Sequence, residues 1–292
     1  MQAADGWIAV NLPRADDWTL IPAWTEGEVA ATDWHDLERA VADHSVLYLR
    51  ERAVMLGLAV AIVGEAVYDG GAITPTLALG EPRLRGGLPV VADLTSLWAG
   101  PLCAGLLARG GAKVTRYESR HRPDPSRNAA PHFYRSLNQS KAHQLLDFQT
   151  SEGRDRLRKA LDHADIVVTS ARPRAFAALG IDPEDVFATN PSLIWIAITG
   201  YGWQGHAGQR VAFGDDAAAA GGLLRWTAGG EPHFLGDALA DPVTGLVAAL
   251  AAMQAWREGG GVLIDVALAR VATFAARARL YEELVGNAFS SR

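Results

Sequence analysis

The stretch PVVADLTSLWAGPLCAGLLARGGAKVTRYE, residues 89–118, decides the fold. PVVADL is a continuous apolar run ending in an aspartate, the signature of a strand buried on both faces. AGPLCAGLLARGG has helical character and is stopped by a pair of glycines. AKVTRYE reads as the next strand. Strand, helix and strand in such close succession form the βαβ unit of a parallel sheet. Gly100 permits close backbone approach, and Pro101 suits the first turn of a helix, whose free N–H groups can face an anion. On spacing alone, the same residues also describe a plain strand-to-helix turn.

The alternation continues outward from this unit. HQLLDF is a short strand, and SEGRDRLRKALDHA is a helix with Ser151 as its cap. ADIVVTS is a strand, RPRAFAALG and PEDVFATN are short helices, and SLIWIAITGYG is the most apolar strand. GVLIDVAL is a further strand before a helical end. Apolar strands alternating with helices require a parallel sheet covered on both faces. The predicted fold is α/β: a Rossmann-like parallel sheet with helices on both faces. Ligands of such sheets bind beyond the carboxyl ends of the strands. Those ends are Asp93–Thr95, Arg116–Glu118, Thr169–Ala171 and Thr199–Tyr201. No GxGxxG follows the first strand and no GxxxxGK[ST] occurs, which speaks against a nicotinamide or P-loop site.

Residues 1–86 have a different character. WIAVNL reads as a strand and WHDLERAVADH as a helix capped by Asp33. LRERAVMLGLAVAIVG reads as a helix that breaks at Gly57 and runs into a strand. YDGGAITPTLALGEPRLRGGLP has no helical period and reads as a linker or surface loop. The expected organisation is a small N-terminal α/β segment with its linker over 1–86, and the large core over 87–292.

With 292 residues, 49% hydrophobic and 21% charged, the chain has the composition of a globular protein with a sizeable core. A net charge of -6 offers no case for nucleic acid as a partner. The single cysteine, Cys103, excludes an internal disulfide and a Cys-based zinc site and fits a reducing cytosol. Its apolar surroundings read as those of a buried small hydrophobe. The N-terminus lacks the pattern of a signal peptide, and no apolar run reaches the ~20 residues of a membrane span. The expectation is a cytoplasmic protein without a membrane partner.

Four places hold candidate chemistry. Lys141, in NQSK, stands where it can meet a phosphate, although surface lysines are common. Arg172 and Arg174 flank Pro173 after a strand, suited to phosphates or a carboxylate, or to a solvated turn. The glycine-rich stretch 200–223 follows the most apolar strand and reads as a loop closing over a site. His206 there has no second ligand at metal spacing, so no metal is expected. In ALADPVTG, Asp241 precedes a proline at the start of an apolar run. This reads as an N-cap with proline at N1, worth about 1 kcal/mol. It also reads as a carboxylate kept ionised by a helix N-terminus and able to attack an electrophile.

Taken in order, these stretches resemble the family III CoA transferases, the group that includes formyl-CoA transferase, carnitine CoA-transferase and the α-methylacyl-CoA racemases. The matching pieces are VADLTSLWAGP, VTRYE, DPSR at 124–127, NQSK, LLDF, SEGR, ADIVV, RPRAFAALG, NPSLIW, GYG and ALADPVTG. The resemblance covers about residues 88–275. It implies a CoA transferase that moves CoA between an acyl-CoA and a small carboxylic acid. Asp241 is then the nucleophile, forming an aspartyl anhydride and an aspartyl-CoA thioester. It further implies that Lys141, Arg172, Arg127, Trp98 and Glu118 contact coenzyme A, that no metal takes part, and that two chains form a homodimer.

Some positions depart from the family pattern. Gln149 stands where formyl-CoA transferase has a lysine, Ser170 and Ala171 replace an asparagine and an aromatic, and Trp98 replaces a glutamine. The racemase histidine falls on Asp215 or Asp216. Segments of 1–86 resemble the family's small domain but precede the core instead of following it. These departures keep two other readings open: a non-catalytic CoA-binding relative, and a racemase or hydrolase acting on acyl-CoA.

Overall fold

The computed structural model describes residues 1–27, 33–67, 70–73 and 77–289, with side chains to residue 278. The chain begins with β1 (Gln2–Ala3), β2 (Gly6–Asn11), α1 (Ala15–Thr19), α2 (Ile21–Trp24), α3 (Trp34–Ala42), α4 (Val46–Leu56) and β3 (Ala59–Ile62). Next come β4 (Leu77–Ala78), β5 (Val90–Leu94), α5 (Ala99–Arg109), β6 (Lys113–Ser119), α6 (Ser126–Ala129), α7 (Pro131–Asn138) and β7 (Ala142–Leu146). Then follow α8 (Ser151–Asp162), β8 (Ile166–Thr169), α9 (Pro173–Ala178), α10 (Pro183–Thr189), β9 (Ile194–Thr199) and α11 (Gly214–Ala220). The chain ends through β10 (Leu224–Trp226), β11 (Pro232–Phe234), α12 (Ala240–Glu258), β12 (Val262–Ala267) and α13 (Leu268–Phe289). Among the described residues no helix is long and apolar enough to cross a membrane.

Spatial contacts divide the chain into two units. One comprises Met1–Ala72, Gln204–Asp241 and the chain from Leu268; the other comprises Ile73–Trp203 and Pro242–Ala267. The expected boundary at 86/87 follows sequence resemblance, whereas the contact units draw on separate stretches of chain.

In the larger unit seven strands form one sheet in the order β4-β12-β9-β8-β5-β6-β7. All neighbours are parallel except β4, which is antiparallel to β12. Counted along the chain, the six parallel strands lie in the order 3-2-1-4-5-6, the doubly wound arrangement. Every residue of β8 and β9 is buried, as their unbroken apolar sequences require. Phe176 meets Trp195 edge-on at 5.3 Å in the core beneath them.

The stretch read as a linker or surface loop is tied to this unit. β4 extends the sheet, Glu81 N–H donates to Pro191 O at 2.8 Å, and Arg83 N–H donates to Gly259 O at 2.8 Å. The Arg85 guanidinium binds Asp165, Ser192 and Asn190. Tyr68, Asp69 and Thr74–Thr76 of that stretch lie outside the described residues. The cap of α8 is Thr150, not Ser151: Thr150 is extended and its Oγ1 accepts from Gly153 N–H at 3.1 Å. Ser151 is already helical.

The smaller unit holds the antiparallel sheet β1-β2-β3. Ile8, Ile21, Leu37, Val41 and Leu49 pack around Trp24, whose Nε1–H donates to Leu49 O at 2.8 Å. Asp33 caps α3 by accepting from His35 N–H, and Gly57 ends α4 at φ 72°, both as predicted. The expected loop over 200–223 contains a helix instead. In α11, Ala217–Ala220 are buried, and their carbonyls reach Gly64 and Ala66, with Gly64 N–H to Ala219 O at 2.9 Å. The run of small residues serves close packing: a Cβ on Gly221 would lie 2.5 Å from that of Ala272 in α13. The hairpin β10–β11 was not foreseen, because its strands are too short to show a period.

A Cβ on Gly80 would stand 1.9 Å from Pro191 O. Gly80→Ala is therefore expected to cost about 1–3 kcal/mol in urea unfolding, the usual range for overpacking. An unchanged midpoint would mean that this stretch does not dock on the sheet edge.

Candidate functional site

In the larger unit the strand order reverses between β5 and β8, whose ends pair at Leu94 and Thr169. Ligand crevices of doubly wound sheets form at such a reversal. The turn out of β5 is tightly determined. Asp93 Oδ1 accepts from the Thr95 N–H at 3.0 Å and from its hydroxyl. Leu97 is left-handed at φ 69°, a conformation costing about 1–2 kcal/mol for a side chain of this kind. It is held there by its N–H, which donates to Asp124 Oδ2 at 3.0 Å. A Cβ on Gly100 would lie 2.3 Å from Thr95 Cβ, so only glycine fits. Ser96 N–H donates to Ser170 Oγ at 3.2 Å and joins the two strand ends. Trp98 stands at the N-cap of α5, half-buried, and meets Phe133 edge-on at 4.9 Å. Arg172 occupies the N-cap of α9 directly after β8 and is also half-buried.

Beneath this turn lies a network of buried charge. Lys141 Nζ donates to Asp93 Oδ2 at 2.8 Å, to Pro101 O at 2.9 Å and to Asn138 Oδ1 at 2.9 Å. Arg116, fully buried within β6, donates to Asp124 Oδ2 at 2.7 Å and to Asn138 Oδ1 at 3.1 Å. Glu118 accepts from Asp124 N–H at 2.6 Å and pairs with Arg127. Asp93, Asp124 and Glu118 thus face Lys141, Arg116 and Arg127, and the charges cancel. That cancellation is what makes such burial tolerable.

The network changes the reading of three residues that the resemblance set against coenzyme A. The Lys141 side chain is wholly buried, and its three N–H donors are all in use. As folded it has nothing to offer a phosphate. Burial lowers its pKa, with Asp93 opposing the shift. The Glu118 carboxylate is likewise committed inside the protein, and Arg127, paired with it, stays partly exposed. VADLTS, DPSR and NQSK converge because each contributes charge or amide groups to one network. Asp93 and Arg116, read from the sequence only as strand ends, are members of this internal network.

Asp241 belongs to the smaller unit. α12 begins at Ala240, so Asp241 is the second residue of its first turn, two places past the cap position it was expected to fill. An acidic residue there still faces the positive end of the helix. Its N–H donates to Ala238 O at 2.9 Å. The first residue of α11 lies against its carboxylate: a Cβ on Gly214 would fall 2.5 Å from Asp241 Oδ2. Two further aspartates follow Gly214. Asp215 Oδ1 accepts from Ala238 N–H at 2.7 Å, and burial raises its pKa. Asp216 is fully buried; one oxygen accepts from Phe213 N–H at 2.7 Å and Oδ2 has no partner. Burial pushes the Asp216 pKa to about 8, against the Phe213 N–H and with the charge on Asp241 adding to the rise. Cys103 is buried, and burial holds its thiol protonated.

Removing Lys141 would leave Asp93 buried and uncompensated. Lys141→Ala is expected to lose about 3–5 kcal/mol in urea unfolding; a loss near zero would mean that the charge is not buried. For Asp216 the folded pKa lies above the unfolded value. The unfolded chain ionises from about pH 4 and the folded one only near pH 8, so folding loses stability over that interval. Asp216→Asn should match the parent near pH 4 and exceed it by about 2 kcal/mol or more at pH 8. Parallel pH profiles of thermal unfolding would refute this.

The sequence profile of CoA-transferase family III matches residues 87–292. The succinyl-CoA–D-citramalate CoA-transferase of Chloroflexus aurantiacus is 31% identical over 193 residues, 61% of this chain and 48% of that protein. The human succinyl-CoA:glutarate CoA-transferase is 31% identical over 188 residues, 60% of this chain and 43% of that protein. Among solved structures, the Mycobacterium tuberculosis protein Rv3272 aligns with a TM-score of 0.61 at 29% identity, covering 70% of this chain and 60% of that one. The chain spans about half the length of the curated relatives it matches. With its strand order and site motifs in the matched region, the chain belongs to CoA-transferase family III.

Proposed function

We propose that this chain acts in CoA transfer between an acyl-CoA thioester and a small carboxylic acid, with Asp241 as the nucleophile. The observation that carries this reading is the environment of Asp241. Its carboxylate lies against a glycine that leaves it room, next to a buried Asp216 that bears the proton near neutral pH. With the proton on Asp216, the nucleophilic electron pair belongs to Asp241. A carboxylate oxygen of Asp241 adds to the thioester carbonyl, the C–S bond breaks, and CoA leaves as the thiolate. The product is a mixed anhydride. Return of the thiolate to the aspartyl carbonyl releases the first acid and leaves an aspartyl-CoA thioester. The acceptor carboxylate adds to that thioester and expels the thiolate, giving a second mixed anhydride; the thiolate then attacks the acceptor's carbonyl, which forms the new acyl-CoA and frees the Asp241 carboxylate.

Trp98 and Arg172, at the ends of β5 and β8, are the coenzyme A contacts in this reading; Lys141 and Glu118 hold the turn. The two curated relatives described above are named for succinyl-CoA, which makes a short dicarboxylic acyl group the first to try. Racemisation is disfavoured, because Asp215 and Asp216 occupy the place where that branch carries a histidine.

Asp241→Ala is expected to abolish transfer from succinyl-CoA and the trapping of an acyl-aspartate by hydroxylamine, while changing stability by only about 1–2 kcal/mol. Transfer by the variant would overturn the assignment. Calorimetry with free CoA covers the non-catalytic alternative. Binding weakened about tenfold by Arg172→Ala, without acyl exchange in the parent, would mark a CoA-binding relative.

A further inference from the structure

A cavity of about 450 Å³ opens between α7 and the edge strand β7 of the larger unit. Its size falls within the roughly 300–1,000 Å³ of small-ligand pockets. Arg127, Arg135, Tyr134, Gln139 and His143 line it, so the wall is rich in hydrogen-bond donors. Among the described residues that line it, Glu118 is the one acid, and its carboxylate is already engaged by Arg127 and by the Asp124 N–H. The second guanidinium, Arg135, has the ring nitrogen Nδ1 of His132 as its neighbour at 2.8 Å. The lining therefore carries one positive charge that no lining carboxylate cancels.

Tyr134 supplies an independent sign of a ligand. The residue is 6% exposed, and its hydroxyl is buried without a hydrogen-bond partner. Its ring is held by the guanidinium groups of Arg127 at 4.5 Å and Arg116 at 5.6 Å, so the hydroxyl cannot easily turn toward solvent. Burial raises its pKa, and the group remains an O–H donor across the physiological range. Arg127 spends one nitrogen on Glu118 and keeps others for a ligand.

We propose that this cavity binds a compact oxyanion, a phosphate or carboxylate group, between the guanidinium groups of Arg127 and Arg135, with the Tyr134 hydroxyl as a further donor. The anion comes either as a free small acid or as a phosphate carried on a larger molecule such as CoA. The proposal does not depend on acyl transfer by Asp241.

The test is a calorimetric titration of the full chain with inorganic phosphate, and separately with succinate, in low-salt buffer at neutral pH. Saturable binding is expected. Arg135→Gln, a change at an exposed position, should weaken it about tenfold, as loss of a charge-assisted contact does. Tyr134→Phe should weaken it roughly threefold or more with unchanged circular dichroism, the scale of one neutral hydrogen bond. Absence of saturable binding, or equal affinity in Arg135→Gln, overturns the site. A repeat with CoA separates the two sources. If CoA competes with phosphate and its own binding falls in Arg135→Gln, the cavity holds a phosphate of CoA. If CoA binds the phosphate-loaded protein unchanged, the ligand is a free acid. Weak CoA binding caused by Arg172→Ala alone bears on the transfer reading and leaves this site standing.

Discussion

The charge of Asp93, buried at the end of the first parallel strand, is the constraint on which the ligand-facing end of the sheet depends. A lone carboxylate there would be expelled or protonated. Lys141 cancels it, and Asn138, Arg116 and Asp124 are drawn in to satisfy the remaining donors and acceptors. Because Asp124 also takes the Leu97 N–H, the network holds the strained turn that opens onto α5. The charges sum to zero, and several bonds on each of Lys141, Arg116 and Asp124 fix their geometry.

A second theme is close approach through small residues. Gly100 folds its turn onto Thr95, and Gly245 brings α12 within reach of Ala99 O, where a Cβ would stand at 2.7 Å. In the smaller unit, Gly214 and Gly221 do the same for α11. Composition of this kind resembles that of a flexible loop, yet it builds packed helices, since each missing methyl group is replaced by a neighbouring backbone. Asp241 and Asp216 are held by this packing, so their unequal environments are a property of the fold. Full burial and one oxygen without a partner raise the proton affinity of Asp216 above that of an ordinary carboxylate.

Much of the larger unit was legible in the sequence. Strands such as IVVT and IWIAIT are apolar throughout, and only a sheet covered on both faces buries them. Helix ends at Asp33 and Gly57 follow from local chemistry and appear where expected. The ordered motifs pointed to the family, and the profile over 87–292 bears that out. Local chemistry ran out where long-range contacts decide. Whether 200–223 is a loop or a helix depended on the sheet and helix that α11 meets, and the linker became a sheet edge through partners far along the chain.

The sequence by itself determined the periodicities, the turn residues and the motif order, hence the α/β class and the identity of the candidate nucleophile. These are local or additive signals that survive without coordinates. Only the tertiary structure decided the state and availability of each charged group. Lys141 and Arg127 look alike in the sequence, as two cations in motif positions. In the fold one is sealed by three acceptors and the other lines an open cavity. The reason is physical: the free energy of a charge depends on its solvent exposure and partners, and both are set by residues distant in sequence.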